Sequence, residues 1–252
     1  MSRIDAAVFL AAGRGLRLGP RGHLIPKGFL ELDGVTLTER AIGRLRAAGI
    51  DDIVIVTGHL RGHYEALVDR LGGGLRTVFN PDFATLGSGH SLAVGLAATE
   101  GDVLVLESDL VWETRALAAV IEPPGDSVLL VSGPTDSGDE VWVWADPRAD
   151  RPRLATMSKR RDHRREAPWG ELVGLTRVGA DLRAALAHEI GRATAETPLV
   201  DYETCLVGAC RTAPVELARM EDLIWSEIDD EAMYARVRAE VWPRIRAAGD
   251  DG

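Results

Sequence analysis

The residues best suited to chemistry lie in a loop of glycines and arginines near the start of the 252-residue chain. Gly13 and Gly15 directly follow a short apolar run, and Arg14, Arg17 and Arg21 lie among and after them. Glycine lets a peptide approach a ligand closely, with its backbone N–H groups turned toward phosphate oxygens. Guanidinium groups bind phosphate oxygens in pairs and stay charged. The loop therefore predicts a binding site for a polyanion.

Carboxylates suited to a divalent cation occur in two later stretches. Asp109 follows an apolar run over residues 102–107, and Glu227, Asp229 and Asp230 belong to an acidic run near the end of the chain. Magnesium takes oxygen ligands and usually keeps waters, so one or two carboxylates suffice. The later run is also typical of a helix N-cap with an acidic first turn, and both interpretations can hold together.

These groups need a scaffold, and the first half of the chain alternates between two kinds of pattern. Apolar runs predict strands over residues 6–12, 52–56, 76–79 and 102–107, and helical periodicity predicts helices over 38–48 and 62–71. A small-residue loop over 84–92 opens a further helix that continues to residue 98. This alternation indicates a parallel sheet with right-handed crossovers. Ligands bind such sheets beyond the carboxyl ends of the strands, where we expect the loops at Gly13, Gly58 and Asp109.

After Asp109 the pattern changes to short strands. We expect strands over 127–131, 141–144, 154–157, 172–176 and 215–217, helices over 181–190 and 202–208, and a last helix to about residue 248, bent or restarted at Pro243. Because few helices separate these strands, a mixed or antiparallel portion should cover the substrate end of the sheet. Residues 159–170 are polar and basic, which predicts an exposed, mobile loop.

Composition narrows the class of protein. The formal net charge of −10 argues against non-specific binding to nucleic acid, which requires a basic surface. No early apolar run has the length of a membrane span, so we expect a cytoplasmic protein with no membrane partner. Cys205 and Cys210 lie five residues apart in a predicted helix, on different faces, and are expected to be free thiols.

Two separate blocks match the signature of the nucleotidyltransferases that join a nucleoside triphosphate to a phosphorylated small molecule. They are Leu10-Ala11-Ala12-Gly13-Arg14-Gly15-Leu16-Arg17 and Pro26-Lys27. Residues 88–92, 106–109, 158–159 and 225–231 further resemble the CTP-using branch of these enzymes, the phosphocholine and 2-aminoethylphosphonate cytidylyltransferases. The resemblance covers nearly the whole chain.

The resemblance implies an α/β fold of the nucleotide-diphospho-sugar transferase type. Its core is a Rossmann-like, mostly parallel mixed sheet with helices on both faces, and a small substrate-covering portion is inserted in the second half. We expect one nucleotidyltransferase domain over residues 1–252. Its nucleotide-binding part covers about residues 1–110 and its acceptor-binding part about residues 111–252.

Site roles for individual residues also follow from the resemblance. Nucleotide contacts are expected from Leu10, Ala11, Ala12, Gly13, Arg14, Gly15, Gly58, Gly87, Ser88, Ser91 and Ser108. The positions matching the family's magnesium ligands are Asp109 and Asp229, with Glu227 as a further candidate. Residues 87–90 stand where many members of the family carry two asparagines.

Catalytic roles are expected for Lys27, Arg17 and Lys159. Only two of the 29 basic residues are lysines. A lysine in such a chain indicates a position that needs a compact, flexible ammonium. We expect Lys27 to contact the phosphate at which substitution occurs and Lys159 to hold the incoming phosphate or phosphonate. The competing interpretation of Lys159 is a solvated charge.

The acceptor-binding candidates are Glu140, Trp142, Trp144, Lys159 and Glu171. An amine or a quaternary ammonium prefers aromatic faces with carboxylates nearby. Trp142 and Trp144 alternate onto one face of a predicted strand, where they line either a pocket or the ordinary core.

The leading hypothesis is a cytidylyltransferase that transfers CMP from CTP to a small phosphonate or phosphate monoester and releases pyrophosphate. The acceptor is of the 2-aminoethylphosphonate, 2-hydroxyethylphosphonate or phosphocholine type, its attack on the α phosphorus is in-line, and Mg²⁺ is required. The alternative is a sugar-1-phosphate nucleotidyltransferase using UTP or dTTP. A nicotinamide-dependent dehydrogenase is disfavoured because the loop lacks a third glycine and a ribose-binding acid. A monomer or a homodimer is expected.

Overall fold

The apolar runs of the sequence form the centre of one large mixed sheet. The computed structural model describes residues 4–250. The strands are β1 (Ala6–Ala11), β2 (Glu31–Leu32), β3 (Val35–Thr36), β4 (Ile53–Thr57), β5 (Leu75–Phe79), β6 (Val103–Glu107), β7 (Leu110–Trp112), β8 (Val128–Ser132), β9 (Trp142–Ala145), β10 (Leu154–Ser158), β11 (Gly170–Val178), β12 (Glu216–Met220) and β13 (Trp225–Glu227).

Eight α-helices within residues 4–250 surround the sheet or follow it. They are α1 (Leu37–Ala47), α2 (Arg61–Leu71), α3 (Ser88–Ala97), α4 (Arg115–Ile121), α5 (Ala180–Glu196), α6 (Tyr202–Ala209), α7 (Glu231–Arg236) and α8 (Trp242–Ala247). Two 3-10 segments, Leu16–His23 and Lys27–Phe29, shape the loop after β1. None of the helices in the described part of the chain is long and apolar enough to cross a membrane.

The sheet is parallel in its first half and mixed in its second. Strand β1 lies between β4 and β6 and is parallel to both, and β5 continues the parallel order beside β4. Strand β11 pairs antiparallel with β6, β8 and β9. The predicted mixed fold is therefore confirmed.

Helices cover both faces of the sheet. Successive residues of β1 face opposite sides and therefore pack against different helices. Ala6 and Val8 join a cluster that includes residues of α3, α5 and α6, whereas Ala7 and Phe9 join a second cluster with residues of α1, α2 and α4. A third cluster joins the loop after β1 to the carboxyl-terminal helices through Leu18 and Trp242. This third cluster holds the acidic run near residue 229 beside the glycine loop.

Most predicted elements are confirmed with small shifts in their ends. The helix predicted over 181–190 extends to Glu196, and β11 is longer than predicted. The irregularity expected at Pro243 is a π-helical turn over Val237–Val241, just before α8. Proline has no N–H to donate to the preceding turn, which accounts for the break. Strands β2, β3, β7 and β13 and helix α4 were not predicted.

Strand β13 has a decisive consequence for the site. It pairs antiparallel with β7, so that Glu227 lies opposite Leu110. The Ile228 N–H then donates to the Asp109 carbonyl oxygen at 3.0 Å. This pairing brings the acidic run of the carboxyl-terminal part to the end of β6.

Candidate active site

The carboxyl ends of β1 and β6 surround a cavity of about 520 Å³, which we call the loop cavity. Six of the predicted nucleotide contacts line it, together with Arg17, Lys27 and Asp109. These six residues are Leu10, Ala11, Gly13, Arg14, Gly15 and Ser108. The structure therefore brings the two signature blocks to one cavity.

The loop turns tightly at Gly15, which has a φ of +60°. The loop folds back on itself, so that a Cβ at Gly22 would collide with the Gly15 carbonyl group. Gly13 has no atom within 4 Å of the place where a Cβ would lie, which leaves its backbone open to a ligand. Gly58 lies behind this loop, since its Cβ would approach the Ala12 carbonyl oxygen to 2.6 Å.

Lys27 joins two carboxylates that are far apart in the sequence. Its Nζ lies 2.8 Å from Asp109 Oδ2 and also contacts Asp229 Oδ1. Burial lowers the pKa of Lys27, but Asp109 and Asp229 raise it by more, so the ammonium stays charged. Asp229 is only 1% exposed, and its Oδ2 has no hydrogen-bond partner among residues 4–250.

The ion pairs continue from Asp229 toward the second half of the chain. Arg17 contacts Asp229 Oδ1 through Nη2 and Asp139 Oδ2 through Nη1, both at 2.7 Å. Lys159 Nζ lies 2.6 Å from the other oxygen of Asp139. Burial raises the pKa of Asp139, but hydrogen bonds from Lys159 and Arg17 outweigh it and hold the pKa at about 2. The three predicted catalytic cations therefore belong to one network.

Three carboxylates converge beside this network. Glu107, Asp109 and Glu227 each offer an oxygen atom, and these atoms lie within 4.8 Å of one another. We call this group the carboxylate trio. Burial, Asp109 and Glu203 raise the pKa of Glu107, and burial together with Asp109 and Glu107 raises that of Glu227. A cation at the trio would compensate this crowded negative charge.

The donor set fits a divalent cation. All three groups of the trio are oxygen donors, which is the chemistry that magnesium prefers. Asp109 and Glu227 were predicted as ligands, but Asp229 faces Lys27 and Arg17 instead of joining the trio. Glu107 was not assigned from the sequence. An acidic residue ending an otherwise buried apolar strand was the signal that could have identified it.

A second cavity of about 200 Å³, the helix cavity, opens at the start of α3. The predicted contacts Ala12, Gly87, Ser88 and Ser91 line it, and so does Phe83, which sequence reasoning missed. The hydroxyl oxygens of the two serines accept hydrogen bonds from the Tyr202 N–H and the Asn80 side chain. Phe83 follows the Asn80-Pro81 turn, and an aromatic ring after such a turn was the available signal.

The predicted acceptor residues do not all meet. Glu171 and Lys159 line a third cavity of about 40 Å³, the acidic cavity. Trp142 stacks with Arg161, and the Trp144 Nε1–H donates to the Glu166 carbonyl oxygen. Neither indole lines any of the three cavities. Both indole groups contact the exposed 160–166 segment. These contacts do not support the expected role of Trp142 and Trp144 in binding the acceptor.

Glu140 also differs from its expected placement. Its Oε1 accepts a hydrogen bond from the Gly138 N–H at 3.0 Å. It lines none of the three cavities, whereas its neighbours Asp139 and Val141 both line the acidic cavity. Alternation along an extended segment turns adjacent side chains in opposite directions, which accounts for this placement.

Tyr64 contacts Gly28 and Ser108, the residues next to Lys27 and Asp109. Burial raises the pKa of its hydroxyl, which lies in hydrogen-bonding contact with Ser108, Thr38 and the backbone of Gly28. A Cβ at Gly28 would approach the Tyr64 hydroxyl to 2.8 Å and the Ser108 carbonyl oxygen to 3.1 Å. Glycine after Lys27 therefore permits this close contact.

We expect Tyr64→Phe to lower the free energy of unfolding by about 1–3 kcal/mol, because its buried polar neighbours lose a partner while the ring is retained. Urea unfolding followed by circular dichroism measures this change. The denaturant slope should stay the same, since the surface exposed on unfolding does not change. An unfolding free energy equal to that of the wild type would contradict the role assigned to the hydroxyl.

The mixed sheet carries a glycine and arginine loop at its carboxyl edge, the arrangement of a nucleotide-binding α/β domain. The chain belongs to the family of MobA-like NTP transferase domains, whose model matches residues 7–169. The matched region ends before α5 and β13, and so leaves out the segment that supplies Glu227 and Asp229.

Known proteins similar to this chain include enzymes that use cytidine nucleotides. CMP-5'-(3-aminopropyl)phosphonate synthase of Streptomyces rubellomurinus is 30% identical over 239 residues, which cover 89% of this chain and 37% of that protein. Choline-phosphate cytidylyltransferase of Streptococcus pneumoniae is 36% identical over 86 residues, covering 34% of this chain and 37% of that protein. The chain thus spans little more than a third of the length of these curated relatives.

Among solved structures, the inositol-1-phosphate CTP transferase from T. maritima is similar in fold. Its TM-score is 0.76 at 20% sequence identity, and the match covers 96% of this chain and 99% of that one. At this identity the likeness concerns the fold alone.

Proposed function

We propose that the protein transfers CMP from CTP to a small phosphonate or phosphate monoester and releases pyrophosphate. The observation that carries the proposal is the position of Lys27, which lies between Asp109 and Asp229 at the loop cavity. The names of the two curated relatives support the choice of a cytidine nucleotide and of a phosphonate or phosphate acceptor.

The loop cavity would hold the triphosphate. Backbone groups at Gly13 and Gly15 would face its oxygens, and Arg14 and Arg17 line the same cavity. The helix cavity adjoins it through Leu10, Gly13 and Asp109, which line both, and would take the base. Nucleotide binding is thus assigned mainly to residues 1–110 of a single domain over 1–252, and acceptor binding to residues 111–252.

The reaction forms one bond and breaks one. An oxygen of the acceptor attacks the α phosphorus in line, the bond from that phosphorus to the bridging oxygen breaks, and pyrophosphate leaves with the electron pair. Catalysis of this kind depends on positioning and on charge stabilisation. Lys27 would stabilise the charge that develops at the α phosphate, and Lys159 would hold the acceptor's phosphate or phosphonate.

The carboxylate trio would hold Mg²⁺, with Asp229 close by. When bound, the ion neutralises phosphate charge and helps to orient the triphosphate. Lys27, Arg17 and Lys159 are each paired with a carboxylate in this structure. These ion pairs would hold the three cations in place before substrates bind. Phosphate oxygens would then replace the carboxylates as partners of the cations.

The direct test is pyrophosphate release with CTP, Mg²⁺ and a panel of acceptors: 2-aminoethylphosphonate, 2-hydroxyethylphosphonate and phosphocholine. We expect release that requires both the acceptor and the metal, and that stops with EDTA. Reactions without acceptor serve as the control for simple CTP hydrolysis. If no acceptor gave pyrophosphate and the folded protein failed to bind CTP, the proposal would be wrong.

Among nucleotides, we expect CTP to raise the melting temperature more than ATP, GTP, UTP or dTTP. A ligand at 100 times its Kd stabilises the folded state by about 2.7 kcal/mol, so a tighter nucleotide gives a larger shift at equal concentration. Differential scanning fluorimetry at equal nucleotide concentration measures the shift. A larger shift with UTP or dTTP would instead favour the sugar-1-phosphate alternative.

A further inference from the structure

Tyr202 connects helix α6 to the carboxylate trio. It is the first residue of α6 and is only 4% exposed. Its hydroxyl donates a hydrogen bond to Oε1 of Glu107, the last residue of β6. Glu107 belongs to the trio, so a side chain from the second half of the chain is bonded to one of its three members.

The start of α6 is held against the start of α3. The Tyr202 N–H donates to the Ser88 hydroxyl oxygen at 2.9 Å, and the Gly89 N–H donates to the Val200 carbonyl oxygen at 3.1 Å. A Cβ at Gly89 would approach Cys205 Sγ to 2.9 Å, so the two helices are in close contact. This packing fixes the backbone from which Tyr202 reaches the trio.

Strand β11 approaches the same carboxylate. Gly174 has a φ of +82°, and a Cβ there would come within 2.8 Å of Glu107 Oε1 and 3.0 Å of Leu110 Cδ1. The absence of a side chain at residue 174 therefore leaves room for Glu107. Together, the Tyr202 hydroxyl and the backbone of β11 restrict the position of this carboxylate.

A carboxylate in this environment needs a partner to keep its orientation. Three carboxylates with oxygen atoms within 4.8 Å of one another repel, and rotation of one side chain would relieve the repulsion. Carboxylates that bind metal ions are themselves hydrogen-bonded, and loss of such a bond lowers metal affinity by about 10–100-fold. The bond from Tyr202 engages Oε1 of Glu107, so Oε2 remains for a cation.

We propose that Tyr202 is a positioning residue that orients Glu107 toward a divalent cation in the carboxylate trio. Its hydroxyl holds one oxygen of the carboxylate, and the other oxygen faces the cation. Its backbone N–H holds Ser88, which lines the helix cavity, so the two parts of the site share one support. This inference rests on the proposed function and adds a residue to its metal site.

The first test measures metal affinity without nucleotide or turnover. Mn²⁺ alone is titrated into the protein, and free Mn²⁺ is followed by electron paramagnetic resonance. We expect Tyr202→Phe to raise the Kd for Mn²⁺ by about tenfold or more. Tyr234→Phe is the matched control, because its buried hydroxyl donates to the Glu31 carbonyl oxygen at 2.7 Å, and it should leave the Kd unchanged.

Two results of this titration would overturn the inference. One is an equal Kd for the wild type and Tyr202→Phe. The other is a wild-type protein that binds no Mn²⁺, because there is then no cation for Glu107 to hold.

The second test is a double-mutant cycle on the same Kd. If Tyr202 acts through Glu107, removing its hydroxyl should matter little once Glu107 has lost its charge. The double variant Tyr202→Phe with Glu107→Gln should therefore bind Mn²⁺ within about twofold of Glu107→Gln alone. Losses that multiply would overturn the assignment, because the two residues would then act independently.

Kinetics separate orientation of the carboxylate from general damage to the site. For Tyr202→Phe we expect the Mg²⁺ concentration at half-maximal rate to rise by about tenfold or more, with kcat at saturating Mg²⁺ within a few-fold of the wild type. The Kd for CTP measured in EDTA should stay within about twofold, since the backbone bond to Ser88 is retained. A loss of metal-free CTP affinity as large as the loss of Mn²⁺ affinity would overturn the inference.

A spectroscopic measurement decides the inference even if Tyr202→Phe fails to fold. The chain has only three tyrosines, so the wild-type protein labelled with 3-fluorotyrosine gives a simple ¹⁹F NMR spectrum, which Tyr64→Phe and Tyr234→Phe assign. Mg²⁺ should shift the resonance of Tyr202 and leave that of Tyr234 in place. An unshifted Tyr202 resonance would overturn this inference alone, whereas failure to release pyrophosphate with any acceptor would overturn the proposed function.

Discussion

Lys27→Met should reduce the rate of pyrophosphate release by about 10²–10³-fold, the loss typical when a group aimed at developing charge is removed. Methionine keeps most of the side-chain volume and removes the ammonium that contacts Asp109 and Asp229. Single-turnover kinetics with saturating CTP and acceptor isolate the chemical step from binding. We expect KM for CTP to change much less than kcat, because Lys27 acts at the reacting phosphate.

The same variant has a stability signature that depends on metal. Without a divalent cation, Lys27→Met leaves Asp109 and Asp229 buried without their shared partner, which should destabilise the fold by about 3–5 kcal/mol. Mg²⁺ should raise the melting temperature of the variant more than that of the wild type, because a cation at the carboxylate trio then compensates the charge of Asp109. Activity within a few-fold of the wild type, or equal stabilisation of both proteins by Mg²⁺, would contradict this account.

Asp229→Asn should reduce activity by about 10²-fold or more, whereas Asp230→Asn should leave it unchanged. Asp229 is buried and contacts both Lys27 and Arg17, so loss of its charge disturbs the position of two catalytic cations. Asp230 instead caps α7, with Oδ1 accepting from the Met233 N–H at 2.8 Å. Asparagine is as good an N-cap as aspartate, so the neighbouring change preserves the helix.

These two variants form a matched pair because the same atom replacement is made at adjacent positions. Initial rates of pyrophosphate release and melting temperatures are measured for both. If Asp229→Asn were as active as the wild type and Asp230→Asn, the acidic run would serve only to start α7. A large loss in Asp230→Asn together with a normal Asp229→Asn would reverse the assignment of roles.

Much of the fold was predictable from local patterns. The run over residues 6–12 and the one over 102–107 each became a buried central strand, because continuous apolar residues suit a strand covered on both faces. The capping box at Thr36 and Glu39 and the turn at Gly49 account for the ends of α1. Local chemistry of this kind acts over a few residues, so the sequence alone expresses it.

Parts of the candidate site were predictable in the same way. Gly13, Gly15 and Lys27 belong to one short signature, and the structure places all three at the loop cavity. Trp142 and Trp144 show the limit of this reasoning. Their alternation correctly indicates a strand, but the partners of the two rings come from the 160–166 segment, and no local pattern reveals those partners.

The sequence by itself determined the anion-type loop, the central strands and the presence of two acidic stretches, because each depends on residues close together in the chain. Only the tertiary structure decided that Glu107 and Glu227 meet beside Asp109, and that Asp229 faces Lys27. That meeting depends on β13 pairing with β7 across more than one hundred residues. Contacts over such separations arise from burial and strand pairing in the whole fold, which leave no local pattern in the sequence.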